Sequence, residues 1–186
     1  MKYAFLGNMN NMSYMFAREM KKCGHDVTLF IDVPADYKLD RPEAMDLNIG
    51  NIYPEWIIEL KSDYRALTRS ILKLYTLPLF KNKYLRILNP YDVIILNGSW
   101  IRLGKYISKR KKVMNLFAGH DLDVLASIDK INPLNRITKK YPFFRPIVYY
   151  IFKSIVKQQQ SGIKRADAVN YYPTGINPVS DNLLKK

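Results

Sequence analysis

Short apolar runs at residues 2–6, 27–31, 92–96, 113–117 and 168–172 each end in glycine, asparagine, aspartate, alanine-glycine or proline. Runs of that length with such punctuation read as buried strands of a parallel sheet. Between the first two runs, Met12, Met15, Phe16, Met20 and Cys23 recur at helical spacing, with Arg18, Lys21 and Lys22 elsewhere on the turn. That spacing predicts a helix whose Met and Phe positions face the core. Gly24 sits where a helix C-cap belongs, and lysines fill the last turn, as the helix dipole favours. Strand, glycine turn, helix, glycine and strand make a right-handed βαβ unit.

Residues 34–54 read as a loop with a short strand at 47–52. Residues 56–60, 64–77 and 81–88 read as helical, as does 100–109. A further helix is expected from Asp181 onward. Strands alternating with helices predict a Rossmann-like α/β domain over residues 1–186, with a doubly wound, mostly parallel sheet carrying helices on both faces.

Composition narrows the setting. The 48% hydrophobic and 25% charged content is that of a globular chain. A single cysteine, Cys23, excludes an intrachain disulfide and any cysteine zinc site, and reads as a small buried residue. The start MKYAFLGN is too short in its apolar stretch for a signal peptide. The expected compartment is the cytoplasm, with the inner face of the membrane as a place of peripheral contact. Thirty Lys and Arg against sixteen Asp and Glu give a net charge of +14, which favours a polyanionic partner.

Ligands of open α/β sheets bind beyond the carboxyl ends of the strands. Three polar loops fall there: Gly7-Asn8-Met9-Asn10-Asn11, Asn97-Gly98-Ser99 and Gly119-His120-Asp121. Gly7 permits a tight turn, and the amides opening the following helix suit an anion, with Asn10 or Asn11 also able to cap that helix. The loop is not a dinucleotide fingerprint, because Met9 and Met12 stand where glycines would be, which discounts Asp32 as a ribose ligand. His120 can donate to a hydroxyl or phosphate oxygen near neutral pH, with Asp121 to orient it or to cap the next helix. The other histidine, His25, reads as a turn residue at the opposite end of the sheet. No metal or cofactor site is expected.

Residues 143–156 place Phe143, Phe144, Ile147, Val148, Ile151, Phe152, Ile155 and Val156 in adjacent pairs four apart. Lys139, Lys140, Arg145, Lys153, Lys157, Lys164 and Arg165 surround them. Such a helix either packs its stripe on the domain or lies on an anionic membrane, which makes residues 139–165 a candidate membrane face. No nucleic-acid-binding motif accompanies the charge, so no nucleic-acid partner is expected.

The opening from Gly7 to Phe30, with its G-N-x-N-N loop and G-H-D-V-T-L-F entry to the second strand, resembles the first βαβ unit of family-4-like GT-B glycosyltransferases. Asn115 to Leu122 (NLFAGHDL) resembles the stretch those enzymes carry at the domain cleft. Arg165-Ala166-Asp167-Ala168-Val169 resembles the phrase before the last strand of their N-terminal domain. The resemblance implies the acceptor-side half of a metal-independent, retaining enzyme that moves sugar from a nucleotide-sugar, and the basic amphipathic helix adds a lipid-linked sugar or a nascent surface polysaccharide as the expected acceptor. It implies that Gly7, Asn8, Asn10 and Asn11 approach the donor diphosphate and that His120 and Asp121 face the reacting sugar and acceptor, while Asn97, Gly98 and Ser99, at a strand's carboxyl end, are the expected acceptor-binding residues. The family's donor-binding domain has no counterpart in residues 1–186, so a separate donor-binding subunit or domain would be needed for activity. The alternative is a non-catalytic basic domain that binds membrane surfaces or serves as a scaffold.

Overall fold

A computed structural model describes residues 1–33, 40–49, 52–61, 81–118, 139 and 142–170. Its centre is a six-stranded, all-parallel sheet in the order β3-β2-β1-β4-β5-β6. The strands are β1 (Lys2–Leu6), β2 (Asp26–Val33), β3 (Ile57–Lys61), β4 (Val93–Asn97), β5 (Lys112–Leu116) and β6 (Ala168–Asn170). Helix α1 (Met12–Lys22) covers one face. Helix α2 (81–88), a 3-10 stretch (Gly98–Tyr106) and helix α3 (Arg145–Arg165) cover the other. The chain is therefore Rossmann-like and doubly wound.

The apolar runs form strands because a sheet buried on both faces needs apolar side chains on both. Phe5, Leu29 and Ile95 enter the core beneath α1, while Ala4, Leu6, Ile94 and Leu96 enter the core beneath α3. The sheet order changes direction between β1 and β4, so the carboxyl ends of these strands mark the switch point.

Several local expectations are corrected. Residues 56–60 are not helical: Ile57–Lys61 is edge strand β3, in register with Leu29 to Val33. Ile57 is buried while Ile58 and Glu59 are exposed, the mixed pattern an edge strand allows and a five-residue window cannot separate from a helix. Residues 47–49 form a turn and not a strand. The stretch after β4 winds as a 3-10 helix over Gly98–Tyr106. The expected elements at 64–77 and from Asp181 onward lie outside the described residues.

Helix α1 also turns a different side inward. Ser13, Tyr14 and Ala17 are buried, whereas Met15 and Phe16 are 43% and 48% exposed. The small Ser13 and Ala17 let the helix approach the sheet, and Tyr14 stacks on Trp56 at 6.1 Å. Cys23 is exposed, contrary to the expected buried position, because it lies in the turn that closes the helix. There Gly24 N–H donates to the Lys21 carbonyl and His25 N–H to the Met20 carbonyl, the reach-back of a glycine C-cap. His25 is an exposed turn residue whose ring meets Tyr3 edge-on.

The long stripe of α3 divides. Phe152, Ile155, Val156 and Ile163 are buried, while Phe143, Ile147 and Tyr150 are 89%, 59% and 71% exposed. Among the described residues no helix is long and apolar enough to cross a membrane.

Candidate functional site at the sheet's switch point

The turn after β1 exists because position 7 carries no side chain. Gly7 adopts φ +88°, and a Cβ there would lie 2.6 Å from the Asn97 carbonyl oxygen and 2.7 Å from Trp100 Cδ1. Asn10 and Asn11 follow at φ 53° and 56°, left-handed values that asparagine tolerates better than other side-chain-bearing residues. Two consecutive left-handed residues swing the chain from the strand into α1, which explains the asparagine-rich composition of the loop.

Neither Asn10 nor Asn11 caps α1 through its side chain. Asn8 does so instead: its Oδ1 accepts the Tyr14 N–H at 2.8 Å. Asn8 Nδ2 donates to Asn11 Oδ1 at 2.6 Å and to the Asp40 carbonyl at 2.7 Å. Asn11 Nδ2 donates to the Arg41 carbonyl at 2.8 Å, and the Asn10 N–H donates to Asp40 Oδ1 at 2.8 Å. The segment beginning at Asp40 is thus laced onto the first loop.

A second tie crosses from β4. Asn97, 1% exposed, accepts the Met9 N–H with Oδ1 and donates from Nδ2 to the Leu116 carbonyl at 2.6 Å. One amide therefore joins the ends of β1, β4 and β5. Trp100 Nε1 donates to Asp32 Oδ2 at 2.9 Å, drawing the end of β2 to the same place.

These contacts enclose a cleft of about 60 Å³ lined by Gly7, Asn8, Met9, Asp32, Asp40, Asn97, Gly98, Ser99 and Trp100. The structure brings together the loop at Gly7 to Asn8 and the whole of Asn97-Gly98-Ser99. Asn10 and Asn11 brace the wall without lining it. His120 and Asp121 lie outside the described residues, which reach Ala118, two residues past the end of β5.

Asp40 and Trp100 line the cleft without a mark in the sequence pattern, and Asp32 lines it although the missing glycines discount it as a ribose ligand. Asp32 carried a signal as a polar residue near a strand's carboxyl end. Asp40 carried none, since it reaches the loop from 30 residues away. Arg102 carries no such mark either. It is 2% exposed, donates from Nε to the Ser99 carbonyl at 2.9 Å, and has its pKa pushed down to about 10 by burial, against a small opposing effect of Tyr106. It stays charged at neutral pH and stiffens the turn that carries Ser99.

Away from the cleft, Tyr14 donates to Asp46 at 2.7 Å. Burial and then that carboxylate push the Tyr14 pKa up to about 12, while the phenol's hydrogen bond lowers that of Asp46. This pair fastens the 40–49 segment to α1 and has a structural role. Among the described residues no group of three or more His, Cys, Asp or Glu is placed to hold a metal.

The cleft mixes hydrogen-bonding and apolar groups. Its carboxylates, amides and hydroxyl offer hydrogen-bond acceptors and donors beside the Trp100 indole and the Met9 side chain. No family model and no curated protein matches the chain. Among solved structures, LpCGTa in complex with UDP superposes on 97% of this chain with a TM-score of 0.49 at 11% identity. This chain spans 49% of the length of that one.

Proposed function

We propose that this chain is the acceptor-side domain of a glycosyltransferase, working with a donor-binding domain to move sugar from a nucleotide-sugar onto a lipid-linked or polysaccharide acceptor. The observation that carries the reading is the cleft at the β1/β4 switch point. Its lining of Asp32, Asp40, Asn97, Ser99 and Trp100 suits a hydroxyl-rich ring. Hydroxyls of such a ring can donate to the two carboxylates and accept from amide and hydroxyl groups, with an indole beside its C–H face. In this reading His120 and Asp121, carried by the chain just beyond β5, meet the reacting hydroxyl and sugar. The sequence resemblance supplies the reaction class, with retention of configuration and no metal.

Paired with a donor-binding domain, the chain is expected to transfer sugar from a nucleotide-sugar. His120→Ala should lower that rate by about 100-fold or more, the usual scale for a positioned proton-transfer group. Transfer assays of the assembled enzyme decide the matter: full activity of His120→Ala would remove the histidine from the reaction, and no transfer from any nucleotide-sugar would remove the reading itself.

A membrane-facing role for the start of α3 is the second part of the proposal. Exposed Phe143, Ile147 and Tyr150 lie near the exposed Lys139, Arg145 and Lys153. No acidic residue falls between Asp129 and Asp167. Aromatic, aliphatic and basic side chains together suit an anionic bilayer interface. Cosedimentation with phosphatidylserine vesicles at low salt is expected. The Phe143→Ala/Tyr150→Ala variant should lose at least about 100-fold in affinity, since burial of each large apolar side chain contributes about 1.5–3 kcal/mol. Equal binding by the variant would contradict this role.

A further inference from the structure

Amides at the start of an 11-residue helix such as α1 ordinarily attract an anion. In this chain the exposed turn of the anion seat is the loop that leads into α1, and its amides already have partners. The Asn10 N–H donates to Asp40 Oδ1, the Met9 N–H to Asn97 Oδ1, the Asn11 N–H to the Asn8 carbonyl and the Tyr14 N–H to Asn8 Oδ1. A carboxylate, that of Asp40, therefore sits where a phosphate oxygen would. It is held there by the side chains of Asn8 and Asn11, which grip the backbone carbonyls of Asp40 and Arg41.

Asp32 lines the same cleft, tied to the Trp100 indole. Among the described residues lining the cleft, Asp32 and Asp40 are the ones that bear full charges, and both are acidic. The protein as a whole carries +14, so this cleft runs against the global charge. A basic surface gathers anions, whereas two carboxylates in a small cleft turn them away.

We propose that Asp40 is a specificity residue: its carboxylate fills the anion seat of the first loop, so the switch-point cleft takes an uncharged, hydroxyl-bearing ring and rejects phosphate. The identity of that ring as the sugar acceptor rests on the glycosyltransferase reading; the rejection of phosphate does not. A carboxylate has about four lone-pair sites, so a carboxylate lining the cleft suits the hydroxyls of a ring as acceptors. A phosphate would have to displace Asp40 from the Asn10 amide while facing Asp32. The donor diphosphate is then met by groups outside this loop, which instead shapes the acceptor's seat.

Inorganic pyrophosphate is the direct probe, read through the amide resonances of Met9 and Asn10 in the full chain at physiological salt. In the unaltered protein these two resonances should not move, whatever pyrophosphate does at surface lysines. Asp40→Ala vacates the seat and should bind pyrophosphate at least tenfold more tightly, with a saturable shift at Asn10. Asp40→Asn keeps an oxygen for the Asn10 amide while removing the charge, and should gain severalfold. Saturable movement of Met9 and Asn10 in the unaltered protein would overturn the proposal, as would a folded Asp40→Ala with no gain. If Asp40→Ala loses the native spectrum, Asp40→Asn decides, and no gain overturns the proposal. Absence of sugar transfer by the assembled enzyme is a separate failure, which leaves the pyrophosphate result standing.

Discussion

Gly162→Ala is expected to destabilise the protein by about 2–4 kcal/mol, even after the gain of about 1 kcal/mol from alanine as the better helix former. A Cβ at position 162 would lie 1.9 Å from the Ile101 carbonyl oxygen and 2.7 Å from its carbon. Those are backbone atoms of the neighbouring 3-10 stretch, so no side-chain rotation relieves the clash. A Cβ at Gly104, across the same contact, would lie 3.3 Å from the Gly162 carbonyl oxygen. Helix α3 must therefore withdraw from the sheet. Withdrawal would loosen the buried Ile155 and Ile163 and strain two buried hydrogen bonds, Gln159 Nε2 to the Gly98 carbonyl and Asn115 Nδ2 to the Gly162 carbonyl. Overpacking costs about 1–3 kcal/mol, and each hydrogen bond contributes about 1 kcal/mol. Against a total stability of about 5–15 kcal/mol, that loss should show as a large fall in the urea midpoint. A midpoint equal to or above that of the unaltered protein would mean that α3 does not pack this closely.

Asn97→Ala is expected to cost about 2–4 kcal/mol and to release the first loop. The change removes the acceptor of the partly buried Met9 N–H and a donor to the buried Leu116 carbonyl. Leaving a buried donor unsatisfied costs about 1–3 kcal/mol, and the lost bond to β5 adds about 1 kcal/mol. The consequence is local as well as global. Amide hydrogen exchange at Met9 should rise more than exchange within β1, because the loop loses its tie to β4 while the strand keeps its ladder. Asn97→Asp retains an acceptor for Met9 but sets a buried carboxylate against the Leu116 carbonyl, and should be at least as harmful. Ser99→Ala, on the same turn, should leave stability nearly unchanged. Equal Met9 exchange in Asn97→Ala and the unaltered protein would contradict the role given to this amide.

The inner strands were legible because a sheet covered on both faces demands largely apolar runs, which β1, β2, β4 and β5 have apart from Thr28 and Asn115. The edge strand β3 was not, because its outer positions are free to be polar and its five residues fit either period. The inward side of α1 was misassigned for a related reason. Hydrophobicity pointed to Met15 and Phe16, yet close approach to the sheet is set by the small residues Ser13 and Ala17. At the site, the two loops ending β1 and β4 could be marked from glycine and asparagine alone, since those residues announce unusual backbone geometry. Which asparagine does what could not be read. Asn8 caps from outside the helix, and Asp40 reaches the loop across 30 residues. Gly162 left a trace as a glycine inside a helical pattern, whose cause is the backbone of Ile101.

The most direct test of the switch-point cleft as an acceptor seat is to titrate the isolated chain with a series of methyl glycosides and map the amide resonances that move. The account predicts millimolar, saturable shifts concentrated at Gly7, Asn8, Asn97, Gly98, Ser99 and the Trp100 indole N–H. Shifts confined to other surfaces, or none with any glycoside at saturating concentration, would contradict it.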